Sequence, residues 1–423
     1  MKLTYHILSI VLLISMGSCK KGLEIAPPSE LSDEFLATKK GAVALLNGVY
    51  ANGQFIADPG ANRIYVEEAT TDNLVNYRGI LNIDLLPFQN FNWLPTTPFI
   101  SQFYNKNFTT IRDANILLNS LSSNSELSDT EKKLITAEAR FLRGLAYFYL
   151  YNWFGPVPLN TQPFTSPNDN FSTPKVAEPE LLTFIETELT AAATDLPGTI
   201  QVTGKASKGA ALGVLAKFYL QTRNWAKAAE AAKQVMELGL YHLQPDYSAL
   251  FAKANKGNTE MVFVYPAIGR INFGNVWTAN ALPPQYPTTV FNTATQVCIP
   301  LAFYNTFGAN DKRKNLILTS YTSTTGASIN LLTGVEYQNP RSLKYPIDPQ
   351  ADDRHHANDF PLIRYADILL TRAEALVQST GTVSQEAIDL LNEVHVRAGL
   401  DPFTLAALSD KSAFITALVR ERG

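Results

Sequence analysis

Apolar residues recur at intervals of three and four along most of the chain, a spacing that predicts a mostly α-helical protein. The spacing first appears from Ala42 to Val49, and ordered structure is expected to start near Ser32. Longer stretches with the same spacing are Pro98 to Leu121, Ser128 to Trp153 and Ala177 to Ala193. A row of amphipathic helices is therefore expected up to about residue 240.

The most regular pattern lies between Lys205 and Gly239. Its large and small apolar residues have the spacing of a tetratricopeptide repeat, a pair of antiparallel helices; they are Leu212, Leu215, Ala216, Tyr219, Trp225, Ala228 and Ala232. Tyr219 and Trp225 are expected to be buried between the two helices. A second, looser pair is predicted from Leu362 to Gly399. One such pair cannot bury its apolar face alone, so the pairs must pack on each other and on another part of the chain.

The helical signal fades between His242 and Asp359, a region dense in Pro, Asn, Thr, Gly, Tyr and Phe. Its best predicted strand is the segment EMVFVYP, which starts at Glu260. Long irregular segments in compact proteins are usually functional or disordered, and the many aromatic residues argue against disorder. This region is therefore the first place to look for a binding surface.

The N terminus has the three parts of a secretory signal: Lys2, an apolar run from Ile7 to Met16, and small residues before Cys19. The run is too short to span a bilayer, which needs about 20 apolar residues. The residues Met-Gly-Ser-Cys resemble a bacterial lipobox, so Cys19 is expected to be the lipidated first residue of the mature chain. An ordinary signal peptide with an incidental cysteine is the alternative.

Composition narrows the possible partners and chemistry. The 423 residues include 35 basic and 38 acidic side chains, without the Lys and Arg clusters that bind nucleic acid. No known catalytic motif is present, although the neighbouring carboxylates Glu67 and Glu68 could in principle serve glycoside hydrolysis. The segment DDRHH, which ends at His356, contains residue types that bind metal ions. A solvated loop is favoured instead, because the positive charge of Arg354 would repel a cation. No catalytic residue, metal ligand or cofactor is therefore predicted.

The four tryptophans divide into two groups. Trp153 and Trp225 lie in helical patterns and are expected to pack in the core. Trp93 and Trp277 lie in loops rich in Asn and Pro, where each ring is as compatible with sugar stacking as with fixing its loop to the protein. A sugar needs a flat ring for its C–H face and amides for its hydroxyl groups, and both loops offer these groups.

Several segments resemble the signature segments of one family. ATTDNLV, TTIRDANILL, AEARFLRGLAYFYLYNWFGPVPL, FPLIRYADILLTRAEAL and LVRERG are spread from residue 69 to residue 423 and are similar to those of the SusD/RagB family of Bacteroidota outer-membrane lipoproteins. The resemblance implies tetratricopeptide-like helix pairs as a scaffold, with a loop-rich, irregular ligand-binding region. It also implies a lipid-anchored protein of the cell outer membrane, facing outside, that binds an oligosaccharide or other nutrient. Such a protein passes its ligand to a TonB-dependent transporter of the SusC type.

The sequence patterns and the resemblance together give expected boundaries. A lipoprotein signal peptide is expected at 1–18, a tether at 19–31 and the SusD-like helical domain at 32–423. Within that domain, the N-terminal part covers about 32–240, the loop-rich insert about 242–359 and the C-terminal part about 360–423. Members of the family usually continue past the segment LVRERG, so this last part is expected to be cut short.

Two hypotheses about function follow, and the loop aromatics separate them. Glycan capture predicts aromatic rings grouped on one exposed face: Trp277 and Tyr286 as the main candidates, Trp93 and Tyr77 as weaker ones, with the amides of Asn73 and Asn275 nearby. A lipid-anchored tetratricopeptide-like docking scaffold predicts an open concave helical surface with the same rings buried. A glycoside hydrolase is the least favoured alternative.

Overall fold

The computed structural model describes residues 33–53, 63–77, 79–163, 174–199, 202–288, 296–335 and 338–423. The predicted signal peptide, Cys19 and the tether lie outside these residues. Helices dominate, as the apolar spacing predicts, and the first described helix starts one residue after Ser32. Among the described helices, none is both long enough and apolar enough to cross a bilayer.

The described helices, apart from two short 3₁₀ turns at Lys253–Asn255 and Lys312–Leu316, are α1 (Asp33–Leu36), α2 (Lys39–Gly53), α3 (Arg63–Ala69), α4 (Ile80–Gln89), α5 (Pro98–Ser120), α6 (Asp129–Phe154), α7 (Glu178–Asp195), α8 (Lys208–Gln221), α9 (Trp225–Glu237), α10 (Tyr247–Leu250), α11 (Trp277–Ala281), α12 (Leu301–Tyr304), α13 (Tyr365–Thr380), α14 (Gln385–Arg397) and α15 (Lys411–Arg422). The described strands are β1 (Met261–Tyr265), β2 (Ile317–Leu318), β3 (Ser320–Thr322), β4 (Ser328–Asn330), β5 (Arg341–Ser342) and β6 (Phe360–Arg364).

Local sequence signals explain where the long helices begin. Ser128 caps α6 in a capping box: its side chain accepts from the backbone N–H of Glu131, and the Glu131 side chain accepts from the backbone N–H of Ser128. Ser207 and Ser384 cap α8 and α14 by accepting from the backbone N–H three residues ahead. These starts agree with the predicted helices to within a few residues.

The long helices pack in a continuous row in the order α2, α5, α6, α7, α8, α9, α13 and α14. The two predicted repeat pairs, α8 with α9 and α13 with α14, are therefore adjacent, because α9 packs on α13. One large core cluster runs through most of this row, and a second is formed mainly by α13, α14 and α15. The apolar face of α15 is covered there, since Phe414 and Leu418 are buried.

The predicted strand forms and connects the irregular region to the scaffold. β1 pairs antiparallel with β6, with Tyr265 opposite Phe360 and Met261 opposite Arg364. β6 leads directly into α13, and β1 also contacts α8. The rest of the described region between 242 and 359 consists of short helices and two small hairpin-like pairs, β2 with β5 and β3 with β4. The loop-rich insert is thus attached at the junction of the two repeat pairs.

The predicted burial is confirmed for Tyr219 and is wrong for Trp225. Tyr219 is buried, and its hydroxyl donates to Glu186 at 2.9 Å. Trp225 is only half-buried, because it is the first residue of α9 and lines a cavity with Arg223 and Gln221 instead of filling the space between the helices. The residues that fill that space are small: Ala228, Ala232 and Ala216 are fully buried.

Candidate functional site

Exposed aromatic rings group around the loop that follows α4. Phe91 is 66% exposed, Tyr77 is 46% exposed and Trp93 is 42% exposed. The rings of Phe91 and Trp93 lie 5.9 Å apart with their planes inclined by 51°. The Trp93 ring is fixed to the core, because it stacks on the buried ring of Phe88 with the two ring centroids 5.6 Å apart. We call Phe91 and Trp93 the aromatic surface.

Hydrogen bonds hold the loop that carries Phe91 and Trp93. The backbone N–H of Asn92 donates to the carbonyl of Pro87 at 2.8 Å, which folds the loop back on the end of α4. Farther along, the hydroxyl of Thr97 accepts from the N–H of Leu94 at 3.0 Å, and the N–H of Thr97 donates to the carbonyl of Leu94. The rings are therefore presented in a fixed arrangement, which reduces the ordering cost of binding a ligand.

The backbone at Phe91 is strained. Its φ is +52°, in the left-handed region that glycine and asparagine adopt more readily than an aromatic residue. Such conformations cost on the order of 1–3 kcal/mol and cluster at functional sites. Here the strained residue is also the more exposed ring of the Phe91 and Trp93 pair.

Amide groups flank the rings. Asn90 and Asn92 are exposed on either side of Phe91, and their side chains make no hydrogen bond to any described residue. Tyr77, which is also exposed, follows Asn76, and Asn76 is joined to the end of α4 by two bonds: Asn76 N–H to Gln89 Oε1 at 2.9 Å, and Gln89 Nε2 to the Asn76 carbonyl at 3.2 Å. The surface thus combines flat rings with free donors and acceptors, the groups that a sugar requires.

Trp277 and Asn73 occupy a different place. Both line a cavity of about 420 Å³ together with the charged residues Arg63, Glu67 and Lys344. Trp277 is half-buried, and one face of its ring stacks on Tyr65 at 5.3 Å. Burial lowers the pKa of Lys344 to about 8. Trp277 therefore contributes to a charged cavity and not to an exposed platform.

The side chains of Tyr286 and Asn275 contact other residues of the protein. Tyr286 is half-buried and packs at 5.7 Å against Tyr321 of β3. Asn275 is buried; its Oδ1 accepts from the N–H of Trp277 at 2.9 Å, and its Nδ2 donates to the carbonyl of Asn358. The expectation that Asn275 offers its amide beside an exposed platform is wrong, because that amide holds the start of α11. Of the six predicted ligand residues, Trp93 and Tyr77 are the most exposed.

The carboxylates considered for catalysis have structural partners. Glu67 forms an ion pair with Arg63 at 2.6 Å and accepts from the indole N–H of Trp153 at 3.2 Å. Burial raises the pKa of Glu68, and its side chain accepts from Asn73 at 3.4 Å. These contacts tie α3 to its surroundings.

The segment DDRHH is not the solvated loop that the sequence suggests. Asp352 and Asp353 are exposed, but His355 and His356 are buried. His356 exchanges two backbone hydrogen bonds with Asn275, and its Nδ1 accepts from the N–H of Asp348 at 2.9 Å. Among the described residues no group of three or more His, Cys, Asp and Glu side chains could hold a metal ion. His356 therefore anchors the loop that leads into α11.

His356 should titrate well below an ordinary histidine. Burial lowers its pKa to about 4 from 6.5, while Asp348 opposes the shift. Above pH 6.5 the imidazole is neutral in both the folded and the unfolded chain. Between pH 6.5 and 4 the imidazole is protonated in the unfolded chain but stays neutral in the folded chain. The free energy of unfolding should therefore fall between pH 6.5 and 4, by about 3 kcal/mol from this group. An NMR titration of the imidazole signals measures the pKa directly, and a His356 midpoint near 6.5 would contradict the burial argument.

Sequence reasoning missed Phe91, Asn90 and Asn92. The available signal was the alternation of amide and aromatic residues in QNFNW, directly after an apolar helix. Only Trp93 stands out in that segment, because tryptophan is rare and phenylalanine usually packs in a core. The exposure of Phe91 depends on a backbone conformation that side-chain patterns do not reveal.

Comparisons with known proteins place both halves of the chain in one group. A family model described as "Starch-binding associating with outer membrane" matches residues 22–220, and a model described as "SusD family" matches residues 280–423. The chain is 26% identical over 424 residues to SusD-like protein P2 of Formosa agariphila, covering 94% of this chain and 82% of that protein. It is 29% identical over 187 residues to starch-binding protein SusD of Bacteroides thetaiotaomicron, a match that covers 42% of this chain and 32% of that protein.

The same group appears among solved structures. A structure described as a laminarin binding SusD-like protein superimposes with a TM-score of 0.78 and 23% identity, covering 91% of this chain and 88% of that chain. At this level of identity the likeness shows the fold: a helical scaffold of tetratricopeptide-like pairs.

Proposed function

The chain belongs to the SusD/RagB family, and from this premise we propose that it is a cell-surface glycan-binding lipoprotein. In this role it captures an oligosaccharide and passes it to a TonB-dependent outer-membrane transporter of the SusC type. The observation that carries the proposal is the aromatic surface: exposed rings, with free amides beside them, on a loop that hydrogen bonds fix in place. Glycan binding needs no catalytic group, so the absence of a catalytic motif is compatible with it.

The comparisons support the ligand class. One relative is described as starch-binding and one structural neighbour as laminarin binding, and both ligands are glucose polymers. The exposed rings of Phe91 and Trp93 favour glycan capture over the docking scaffold, which predicts buried loop aromatics, whereas the half-buried Trp277 and Tyr286 do not separate the two hypotheses. Association with the outer membrane is a property stated for the family model that matches residues 22–220.

Membrane attachment is expected to depend on Cys19. Replacing Cys19 with Ala removes the thiol that would carry the lipid, and the apolar run before it is too short to hold the chain in a bilayer. The variant is therefore expected to leave the membrane fraction and appear in the soluble fraction. Fractionation with Ser18→Ala as the matched control measures this. A Cys19→Ala protein that stays in the membrane pellet would contradict lipid anchoring.

Two measurements test the capture function itself. Calorimetry of the purified chain against a panel of neutral and charged oligosaccharides should find a ligand with a dissociation constant in the micromolar to millimolar range, about 4–8 kcal/mol. Purification of the tagged protein from outer membranes of its source cells should recover a TonB-dependent transporter. Failure of every glycan to bind would overturn glycan capture, and recovery without a transporter would overturn the transfer step.

A further inference from the structure

A cavity of about 410 Å³ lies beside the turn that joins α8 to α9. This volume falls within the range of small-molecule sites, about 300–1,000 Å³. Its lining includes the exposed Arg223 and the half-buried Trp225, together with buried apolar side chains such as those of Leu145, Phe148 and Val214. Neither Phe91 nor Trp93 lines the cavity, so it is separate from the aromatic surface.

The ring of Trp225 lacks the contacts that hold the other tryptophans. All four tryptophans belong to the described residues, and the other three each stack on another aromatic ring. Trp225 stacks on no described ring and packs against none of the described core clusters. A half-buried indole with a free face can cover the flat side of a ligand.

Arg223 supplies the charge in this cavity that is not neutralised. The other cations of the wall have carboxylate partners: Arg63 pairs with Glu67 at 2.6 Å, Lys217 and Arg422 both pair with Asp367 at 2.7 Å, and Arg422 also pairs with Glu374 at 3.4 Å. Arg223 makes no ion pair or side-chain hydrogen bond with any described residue. A guanidinium binds a planar carboxylate through two parallel N–H···O bonds. One unpaired arginine therefore matches a ligand with one carboxylate.

The backbone at Arg223 shows that the turn itself does not require an arginine. α8 ends in a Schellman motif: the N–H of Arg223 donates to the carbonyl of Leu220 at 3.1 Å, and the N–H of Asn224 donates to the carbonyl of Tyr219 at 2.8 Å. The motif places Arg223 at a φ of +58°, where glycine is the usual residue. The corresponding turn after α13 has glycine there, Gly381 at a φ of +74°. The arginine side chain is thus kept at a position where it strains the backbone.

We propose that Trp225 and Arg223 form a binding site for a small monocarboxylate that carries a flat ring. The indole covers the face of the ligand ring, and the guanidinium of Arg223 binds the carboxylate. Sugar uronates and aromatic carboxylates share this chemistry. The site goes beyond the proposed function, because it does not require the chain to bind an oligosaccharide.

Ligand-observed NMR titration of the purified chain tests the site with two carboxylates and their neutral analogues: glucuronate with methyl glucoside, and benzoate with benzamide. At least one carboxylate should bind with a dissociation constant in the millimolar range or tighter, and about tenfold or more tighter than its neutral analogue. The carboxylate that binds distinguishes a sugar ligand from an aromatic one.

Two variants assign the contacts. Arg223→Gly should weaken binding of that carboxylate about tenfold or more and leave the melting temperature equal or higher, because glycine adopts the left-handed backbone without strain. A purely structural arginine would not combine lost binding with undiminished stability. Trp225→Ala should weaken binding about fivefold or more. Arg270→Ala removes an exposed arginine on another loop and is the matched control, expected to bind like the parent.

Each possible failure overturns a stated part of the proposal. Equal binding of the neutral analogue, or undiminished binding in Arg223→Gly, would overturn the carboxylate contact. Undiminished binding in Trp225→Ala, with unchanged circular dichroism, would overturn the ring contact. Failure of both carboxylates to bind would overturn the site as a whole. None of these results bears on glycan capture, which is measured with oligosaccharides and with variants of the aromatic surface.

Discussion

Replacing Glu260 with Gln is expected to lower the free energy of unfolding by about 3–5 kcal/mol, because it removes the buried carboxylate that pairs with two partly buried arginines. Glu260 is completely buried. Its Oε1 accepts from Arg364 at 2.7 Å, and its Oε2 accepts from Arg397 at 2.7 Å and from the backbone N–H of Gln244 at 2.8 Å. For a domain of this size the loss corresponds to a melting temperature lower by about 4–6 °C.

The position of Glu260 explains why the effect should be large. The residue directly precedes β1, Arg364 ends β6, and Arg397 ends α14. The carboxylate therefore joins the loop-rich insert to both ends of the second helix pair. Thermal unfolding of Glu260→Gln measures the loss, and Glu230→Gln on the exposed face of α9 is the matched control, expected to change stability by less than about 0.5 kcal/mol. Equal melting temperatures for Glu260→Gln and the parent would show that the ion pairs contribute little.

The helical scaffold could be predicted because its signals are local. The capping box at Ser128 and the apolar spacing within each helix depend on residues a few positions apart, so the sequence alone places α6 and the pair α8 and α9 well. Trp225 is the exception, since its place at the first turn of α9 decides its exposure more than the repeat spacing does.

The binding surface could be predicted only in part, because exposure in a loop depends on distant residues. Trp93 and Trp277 both lie in segments rich in Asn and Pro, and nothing within either segment separates them. The difference comes from distant elements: Trp277 stacks on Tyr65 of α3 and also packs against two core clusters, while Trp93 stacks on its near neighbour Phe88. The same reasoning applies to His356. The polar segment DDRHH suggests a solvated side chain, but the residue is buried and its backbone is hydrogen-bonded to Asn275, which is distant in sequence.

Replacing Trp93 with Ala is expected to weaken glycan binding by about 30-fold or more, or ~2 kcal/mol, the loss typical of a central aromatic residue at a binding surface. Trp93 lies between the buried Phe88 and the exposed Phe91, so its removal takes away the largest ring and also the contact that fixes the angle of the pair. Trp93→Phe should bind with intermediate affinity, because a smaller ring still stacks on Phe88.

Calorimetry with the tightest glycan of the panel measures these losses, and Phe273→Ala is the matched control. Phe273 is 62% exposed on a different loop, so its removal deletes an aromatic ring of similar exposure without touching the aromatic surface. Circular dichroism and melting curves must match the parent in all three variants. If Trp93→Ala binds as tightly as the parent, the site lies elsewhere; if Trp93→Ala loses binding only together with its fold, the ring fixes the loop and does not contact the glycan. If Trp93→Ala loses glycan binding with a native fold and Phe273→Ala keeps it, glycan binding is assigned to the loop after α4. That loop carries the strained Phe91, the fixed Trp93 and the free amides of Asn90 and Asn92.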